Sequence, residues 1–282
     1  MVRTRQSGAV KAVVGEGRRE VGPANEDRQT VTALARGLGV LRCFGAGDRW
    51  LGNMEMAERT GLPKPTISRL TRTLTKLGYL QYDEVLKKYG LGGGVTSLGL
   101  VALSQMDVRR IARPLMQALA ERTHACVNLA MNDHHAMVYV DRYSSASSYT
   151  VQVDVGSRLP IGNTSVGRAF LCGLPDGRRA ELLNDLRTEN AADWPRLRKG
   201  IERAMRDYVE HGYCSSLGEW RPEVHAIAVP LRRGEGFPPI VFSCSGPAFE
   251  LTVEAVQRDV GPRLVALVGN VAHALTATGR SG

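Results

Sequence analysis

The stretch from Lys64 to Gly78 constrains this chain most. Its apolar residues recur at intervals of three, four and three: Ile67, Leu70, Leu74 and Leu77. At about 100° per residue that spacing draws one apolar stripe down an α-helix. Ser68, Arg69, Arg72 and Lys76 fall on the opposite side. Pro65 suits the first turn, where its missing N–H costs nothing, so the helix is expected from Thr66 to about Leu77, with Gly78 as its stop. One side packs and the other presents a hydroxyl and three cations. A helix–turn–helix needs that division, because its second helix must fill a major groove roughly 12 Å wide. An ordinary solvated helix shares the periodicity, so the surroundings have to separate the two readings.

Those surroundings favour the first. Val31, Leu34, Leu38, Leu41 and Phe44 mark one face of a preceding amphipathic helix, ended by Gly45, Gly47 and Asp48. Asn53 is expected to cap a short second helix that stops at Gly61. The connection Leu62-Pro63-Lys64-Pro65 is tight, and the outer face of the third helix has no acidic residue. Tyr79-Leu80-Gln81-Tyr82 then reads as a strand, Asp83-Glu84 as a turn, and Lys87-Lys88-Tyr89 as a basic return strand ending at Gly90. Three helices and a hairpin give the winged helix–turn–helix order, in which the wing touches phosphates or the minor groove. In that frame Arg69 and Arg72 are expected at base edges, since a guanidinium grips guanine bidentately. Thr66 and Ser68 are expected to hydrogen-bond phosphate or bases, and Lys64, Lys76, Lys87 and Lys88 to hold the phosphate backbone. Charge agrees: of a formal +9 over 282 residues, residues 1–106 carry +7 and residues 107–282 only +2.

The remainder alternates between periods. Residues 1–29 show none and are expected to form a disordered basic tail. Gly90-Leu91-Gly92-Gly93-Gly94 lacks the ending of a phosphate loop and is read as a flexible exit from the wing. Val95, Leu98, Val101, Ala102 and Met106 follow at helical spacing, as a linker helix over 95–106 between a reader domain (30–94) and a second domain (107–282). That second domain opens with a helix presenting Ile111, Leu115 and Leu119. Strands are expected around 127–131, 137–140, 149–153, 226–231 and 240–247, and helices near 178–187, 195–211 and 252–277. Strands enclosed by helices at both ends make an α+β domain. His134-His135 is read as turn chemistry, because adjacent residues on a turn point different ways and no third metal ligand is evident.

The run from Met56 to Leu70, continued by Leu77-Gly78-Tyr79-Leu80, resembles the reader domain of IclR-type transcription regulators, with Pro65 where the family usually has Ser. Val155 to Ala169, Gly212 to Leu231 and Ser243 to Pro247 resemble, in order and spacing, the effector domain of the same family, so the likeness covers about residues 30–277. It implies a winged helix–turn–helix joined by a linker helix to a GAF-like effector domain. It also implies binding of double-stranded DNA at a palindromic operator by a homodimer or dimer of dimers, modulated by a small organic acid. Carried over position by position, Ser165 and Val166 offer backbone N–H groups at a helix start, which favour a carboxylate. Ser243 and Ser245, two apart on one strand, share a face and are candidates for direct contact. Ser216 stands where small-oxoacid binders of the family often have Asp, and Ala226 where some have Cys. Losing an acid and a thiol implies a roomier, less polar site, suited to a larger, aromatic or hydroxylated carboxylate.

Other classes have less support. Ser165, His225 and Asp154, or Cys214 and His211, would have to carry an enzyme of the second domain, but no Gly-x-Ser-x-Gly elbow is present. A winged-helix adaptor for protein contact remains a third reading, separable by salt-dependent DNA binding. The five cysteines, Cys43, Cys126, Cys172, Cys214 and Cys244, are scattered without CxxC spacing and read as buried reduced thiols. No metal, cofactor or catalytic group is expected. No run reaches the roughly 18–20 apolar residues of a membrane span, and the first thirty residues do not read as a signal peptide, so a cytoplasmic protein is expected.

Overall fold

The computed structural model of the chain describes residues 30–145, 153–234 and 236–279. The tail expected over residues 1–29 lies outside them, as does the strand expected at Tyr149–Val153 except for its last residue. No helix among the described residues is long and apolar enough to cross a membrane. The chain divides into two compact units, the first ending at Thr96 and the second beginning at Ser97.

The first unit is a winged helix–turn–helix. Helices α1 (Thr32–Arg42), α2 (Asn53–Thr60) and α3 (Lys64–Lys76) precede a hairpin of β1 (Leu80–Asp83) and β2 (Lys88–Leu91), paired antiparallel from Leu80↔Leu91 to Asp83↔Lys88. Val40, Leu51, Met56, Ile67 and Leu80 form its core. Local chemistry sets the helix ends. Glu55 reaches back to accept the Gly52 amide at 2.6 Å, the half of a capping box that a glycine allows, so Gly52 and not Asn53 is the N-cap of α2. Gly61 ends α2 in the left-handed region at φ 69°, a conformation that favours glycine. Pro65 sits in the first turn of α3.

Two apolar stripes extend beyond what the unit covers. On α3, Ile67 is fully buried, whereas Leu77, expected inward, is 62% exposed, because it caps the helix where the backbone turns at Gly78. Along α1 and its flanks, Val40 is buried and Leu41 and Phe44, just past the helix, pack against the core, but Val31 at the N-cap, Leu34 and Leu38 stay exposed. The glycine run after the wing is a close crossing and not a flexible exit. A Cβ on Gly92 would run into the Gly78 carbonyl. The Gly92 amide donates to Tyr79 O at 2.8 Å and the Gly94 amide to Gly78 O at 3.0 Å. Gly93 already opens α4 (Gly93–Ser104), a helix with no buried residue.

The second unit is a three-layer α/β domain. After α5 (Asp107–Thr123) come β3 (Cys126–Asp133), β4 (Ala136–Tyr143) and β5 (Arg158–Pro160), then α6 (Ser165–Gly173), α7 (Asp176–Glu189) and α8 (Trp194–His211). The strands β6 (Cys214–Leu217), β7 (Val224–Leu231) and β8 (Ile240–Pro247) follow. The chain closes with α9 (Val253–Ala255), a π-helical turn and α10 (Gly261–Gly279). The six strands form one antiparallel sheet in the order β5-β4-β3-β8-β7-β6. Ile227, Val229, Phe242 and Cys244 face the core shared with α5 and α10, while Ala228 and Val241, the alternate residues, face the core shared with α6 and α8. Both faces are covered, which explains why β7 and β8 read as nearly continuous apolar runs. His134 and His135 form the β3–β4 turn, with His134 at φ 56° and its Nδ1 2.8 Å from Asp133. Among the described residues no cluster of His, Cys, Asp or Glu could hold a metal.

The crossing at Gly92 gives a paired test. Gly92→Ala should destabilise the first unit by about 1–3 kcal/mol through overpacking, whereas Gly93→Ala, which meets open space, should be neutral or slightly stabilising. Urea unfolding followed through Trp50, the tryptophan of that unit, would measure both.

Candidate nucleic-acid interface and ligand cavity

On α3 the polar side chains proposed from spacing do share one exposed face. Lys64, Ser68, Arg69, Arg72 and Lys76 are exposed and Thr66 is half-buried. α3 carries no acidic residue in its first turn, and among the described residues Lys64, Arg69, Arg72 and Lys76 form no ion pair. Ser68 Oγ accepts from Asn53 Nδ2 at 3.3 Å, which leaves its own O–H free to donate outward. The wing lysines differ. Lys87 Nζ lies 3.0 Å from Glu84, and Lys88 Nζ lies 3.0 Å from Glu55 of α2. The Gly52 amide and Lys88 together hold the Glu55 carboxyl below its ordinary range. Exposed pairs of this kind are weak and screened by salt, so a phosphate competes for these lysines at small cost. The cations that are free without any exchange are those on α3.

In the second unit a cavity opens between the start of α6 and one face of the sheet. Five of the six residues proposed for effector contact line it: Ser165, Val166, Ser216, Ala226 and Ser245. Ser243 does not. It is fully buried, hydrogen-bonded to Tyr139 and 3.4 Å from Asn128 Nδ2, which also donates to Ser245 Oγ at 3.2 Å. Two strand residues share a face by periodicity, but their depth under the cavity differs, and Ser243 supports the floor. Tyr139 and Trp220 add aromatic walls that spacing did not reveal, with Leu159 and Val224 beside them. Burial pushes the Tyr139 phenol up to about 12, so it stays protonated at neutral pH. No lining residue is charged. Thr164 caps α6 by accepting the Gly167 amide at 3.2 Å, while the amides of Ser165 and Val166, first in the helix, have no intrahelical carbonyl to meet. The cavity's free volume is only about 20 Å³, room for a water-sized molecule.

Beneath the cavity lies an ion pair that sequence reasoning missed. Arg168 on α6 is 1% exposed. Its Nη1 and Nη2 donate to the two carboxylate oxygens of Glu219 at 2.8 and 2.6 Å. Nε donates to Gly162 O at 3.1 Å, and Nη1 also reaches Ser215 O at 3.0 Å. Arg203 on α8 binds the same carboxylate from the more exposed side. Burial alone would raise the Glu219 pKa, but the hydrogen bonds and charges of Arg168 and Arg203 overcome it and hold the carboxyl below its ordinary range. Gly200 is part of the fit: a Cβ there would collide with the Arg168 guanidinium. The clasp joins α6, whose first residues wall the cavity, to β6 and the following loop, which supply Ser216 and Trp220.

Comparison with known proteins places these features. Residues 33–84 match the family model described as the IclR helix-turn-helix domain, and residues 100–275 match that of the bacterial transcriptional regulator IclR C-terminal domain. The chain is 35% identical over 243 residues to the HTH-type transcriptional regulator TsaQ1/TsaQ2 of Comamonas testosteroni, covering 86% of this chain and 87% of that protein. Among solved structures it resembles an IclR family transcriptional regulator from Brucella abortus, with TM-score 0.79, 46% identity and coverage of 91% and 97% of the two chains. It shares its fold with an IclR homologue from Microbacterium hydrocarbonoxydans complexed with 4-hydroxybenzoate, at TM-score 0.67, 23% identity and coverage of 87% and 100%.

The clasp makes two testable demands. Arg168→Ala leaves two carbonyls and a half-buried carboxylate underserved, and should cost about 3 kcal/mol in the second unit, read by urea unfolding through Trp194 and Trp220. Because the folded pKa of Glu219 is lowered, its stabilisation is complete above the ordinary glutamate range and is lost as pH falls through the folded value. The melting-temperature gap between wild type and Glu219→Gln should therefore be full at pH 7 and close below about pH 4. A gap that stays constant down to pH 3 would contradict the ion-pair account.

Proposed function

The chain belongs to the IclR family of bacterial transcriptional regulators, and on that premise we propose that it binds a palindromic DNA operator and answers to a small aromatic carboxylate. The observation that carries the DNA reading is the exposed face of α3, where Lys64, Arg69, Arg72 and Lys76 stand without an acidic partner among the described residues. Arg69 and Arg72 read base edges, Thr66 and Ser68 hydrogen-bond bases or phosphate, and Lys64, Lys76, Lys87 and Lys88 hold the backbone. Both matched families are of transcription regulators and not of enzymes, which leaves the enzyme reading of the second domain without support. A regulator of bacterial operators works in the cytoplasm.

Two copies are proposed to act together, on half-sites about 34 Å apart. The exposed Val31, Leu34 and Leu38 on α1, and the exposed Leu98, Leu100 and Val101 on α4, are apolar faces that a second copy would cover. A dimer of dimers would extend the same logic.

For the effector, the lining supports an aromatic acid. Trp220 and Tyr139 offer ring surfaces, the two α6 amides suit a carboxylate, and Ser216 and Ser245 supply hydroxyls to a polar substituent. The same fold in the Microbacterium hydrocarbonoxydans homologue, complexed with 4-hydroxybenzoate, makes that acid the first probe. A volume near 20 Å³ is too small for a benzene ring, so binding has to open the cavity. The ligand therefore favours one arrangement over another, as any effector must to shift an equilibrium.

Operator selection from random DNA, followed by salt titration, tests the reader. Arg72→Ala should relax specificity at one base pair, by about 1–3 kcal/mol, and Lys88→Ala should weaken binding uniformly with a shallower salt slope. Equal, sequence-blind effects of both would count against the assignment. Calorimetry tests the cavity: heat with 4-hydroxybenzoate, reduced by Ser245→Ala, is expected. Tight binding of glyoxylate or pyruvate, with no response to aromatic acids, would overturn the aromatic reading.

A further inference from the structure

Two cysteines separated by 42 residues of sequence meet behind the cavity. The Sγ of Cys172, near the C-terminal end of α6, lies 3.5 Å from the Sγ of Cys214, at the start of β6. Both are free thiols, buried at 5% and 0% exposure. Their surroundings are unequal. The hydrogen bond shared with Cys214 draws the Cys172 thiol below its ordinary range against burial, and the Arg179 and Arg232 guanidiniums add to the pull. The same hydrogen bond and deeper burial push Cys214 up. Arg232 is held in place by its 2.9 Å hydrogen bond to the Cys172 carbonyl. The sulfurs lie 3.5 Å apart, and of the two Cys172 is the more readily ionised, which is the arrangement of a reactive thiol with its resolving partner.

We propose that Cys172 and Cys214 are an oxidisable dithiol, which hydrogen peroxide converts to a disulfide tying α6 to β6. In the first step the Cys172 thiolate attacks one peroxide oxygen. The O–O bond breaks and hydroxide leaves, to be protonated to water, while Cys172 becomes a sulfenic acid. In the second, the Cys214 sulfur attacks the Cys172 sulfur, the S–O bond breaks, and hydroxide departs with the Cys214 proton as a second water. Two thiols and one peroxide give one disulfide and two waters. The sulfurs are oxidised and the peroxide is reduced. The sulfur atoms have to close from 3.5 Å to about 2.05 Å. Peroxide is little larger than water, and Cys172 retains a trace of surface.

Place gives the bond its consequence. The first residues of α6 and Ser216, two residues after Cys214, wall the cavity. A disulfide between α6 and β6 fastens those walls together in a state with about 20 Å³ between them. Oxidation then holds the cavity closed against any ligand that has to spread it. This last step rests on the effector reading above, whereas formation of the bond does not.

The test uses the full chain, reduced and then treated with stoichiometric hydrogen peroxide. Alkylation and intact mass should show two fewer free thiols, and a non-reducing digest should yield one linked peptide pair, Cys172 to Cys214, released by dithiothreitol. Cys214→Ser should stop at a Cys172 sulfenic acid that dimedone traps, and Cys172→Ser should lose no thiol at the same dose. Amide exchange over Ser165–Gly173 and Cys214–Leu217 should slow at least about tenfold on oxidation. Five thiols surviving in wild type, a link elsewhere, or over-oxidation of Cys172 without a link would overturn the dithiol. If the serine variants fail to fold, the wild-type peptide map decides alone. A correctly formed bond with unchanged amide exchange would overturn the fastening of the walls. A slowed exchange with unaltered 4-hydroxybenzoate calorimetry would sink only the ligand-entry step.

Discussion

The second unit is organised around one buried guanidinium. Moving a charge such as Arg168 out of water costs several kcal/mol, and the fold tolerates it because four of its five N–H donors are met, by two carboxylate oxygens of Glu219 and the carbonyls of Gly162 and Ser215. That requirement links stretches far apart in the chain. The turn before α6 must offer its carbonyl, β6 must run alongside, Glu219 must follow one loop later, and α8 must pass with a glycine at 200. Removing any one of them leaves a polar group stranded in a close-packed interior. The residues that wall the cavity, Ser165 and Val166 on one side and Ser216 and Trp220 on the other, are neighbours in sequence of these clasp members. Their spacing is inherited from it.

A cavity lined by uncharged hydroxyls, two helix-start amides and two aromatic rings combines specificity with a small resting volume. Such a site cannot simply fill. Its walls are α6 and one face of a sheet covered on both sides, and close-packed interiors deform by switching between discrete packings more readily than by stretching. Under the proposed effector reading, an aromatic acid entering this cavity would therefore change how α6 lies on the sheet. The first unit asks little of its ligand by comparison, since its free cations on α3 are already exposed and unpaired.

What the chain disclosed before its structure was mostly local. The third helix was legible because its stripe, its Pro65 and its Gly61 and Gly78 boundaries all lie within a turn or two of one another. The β7 and β8 segments were legible because strands covered on both faces keep little polarity. The reach of a stripe was not: Val31, Leu34, Leu38 and Leu77 fit the pattern of an inward face, yet the small core of the first unit ends before it covers them. Ser243 and Ser245 show the matching limit for strands, since a period of two assigns a side but not a depth. The glycines after the wing looked flexible because composition cannot show that the Gly78 carbonyl lies against Gly92. Arg168 with Glu219, and Cys172 with Cys214, were illegible for a plainer reason. Each pair is made by tertiary packing between elements more than 40 residues apart, and neither residue of a pair is unusual by itself.

Helix α4 carries a consequence of a different kind. Its twelve residues include no charge and none is fully buried, Leu103 alone packing against the core of the second unit, and two of the first are glycines. A helix so short and so poor in side-chain support is marginal in water. Its order is then borrowed from whatever covers it, and under the proposed pairing that cover is another copy of the same chain. In that arrangement the integrity of the connection between the two units obeys mass action. The cell would set it by how much of the protein it makes, so that abundance itself becomes one of the signals the molecule integrates.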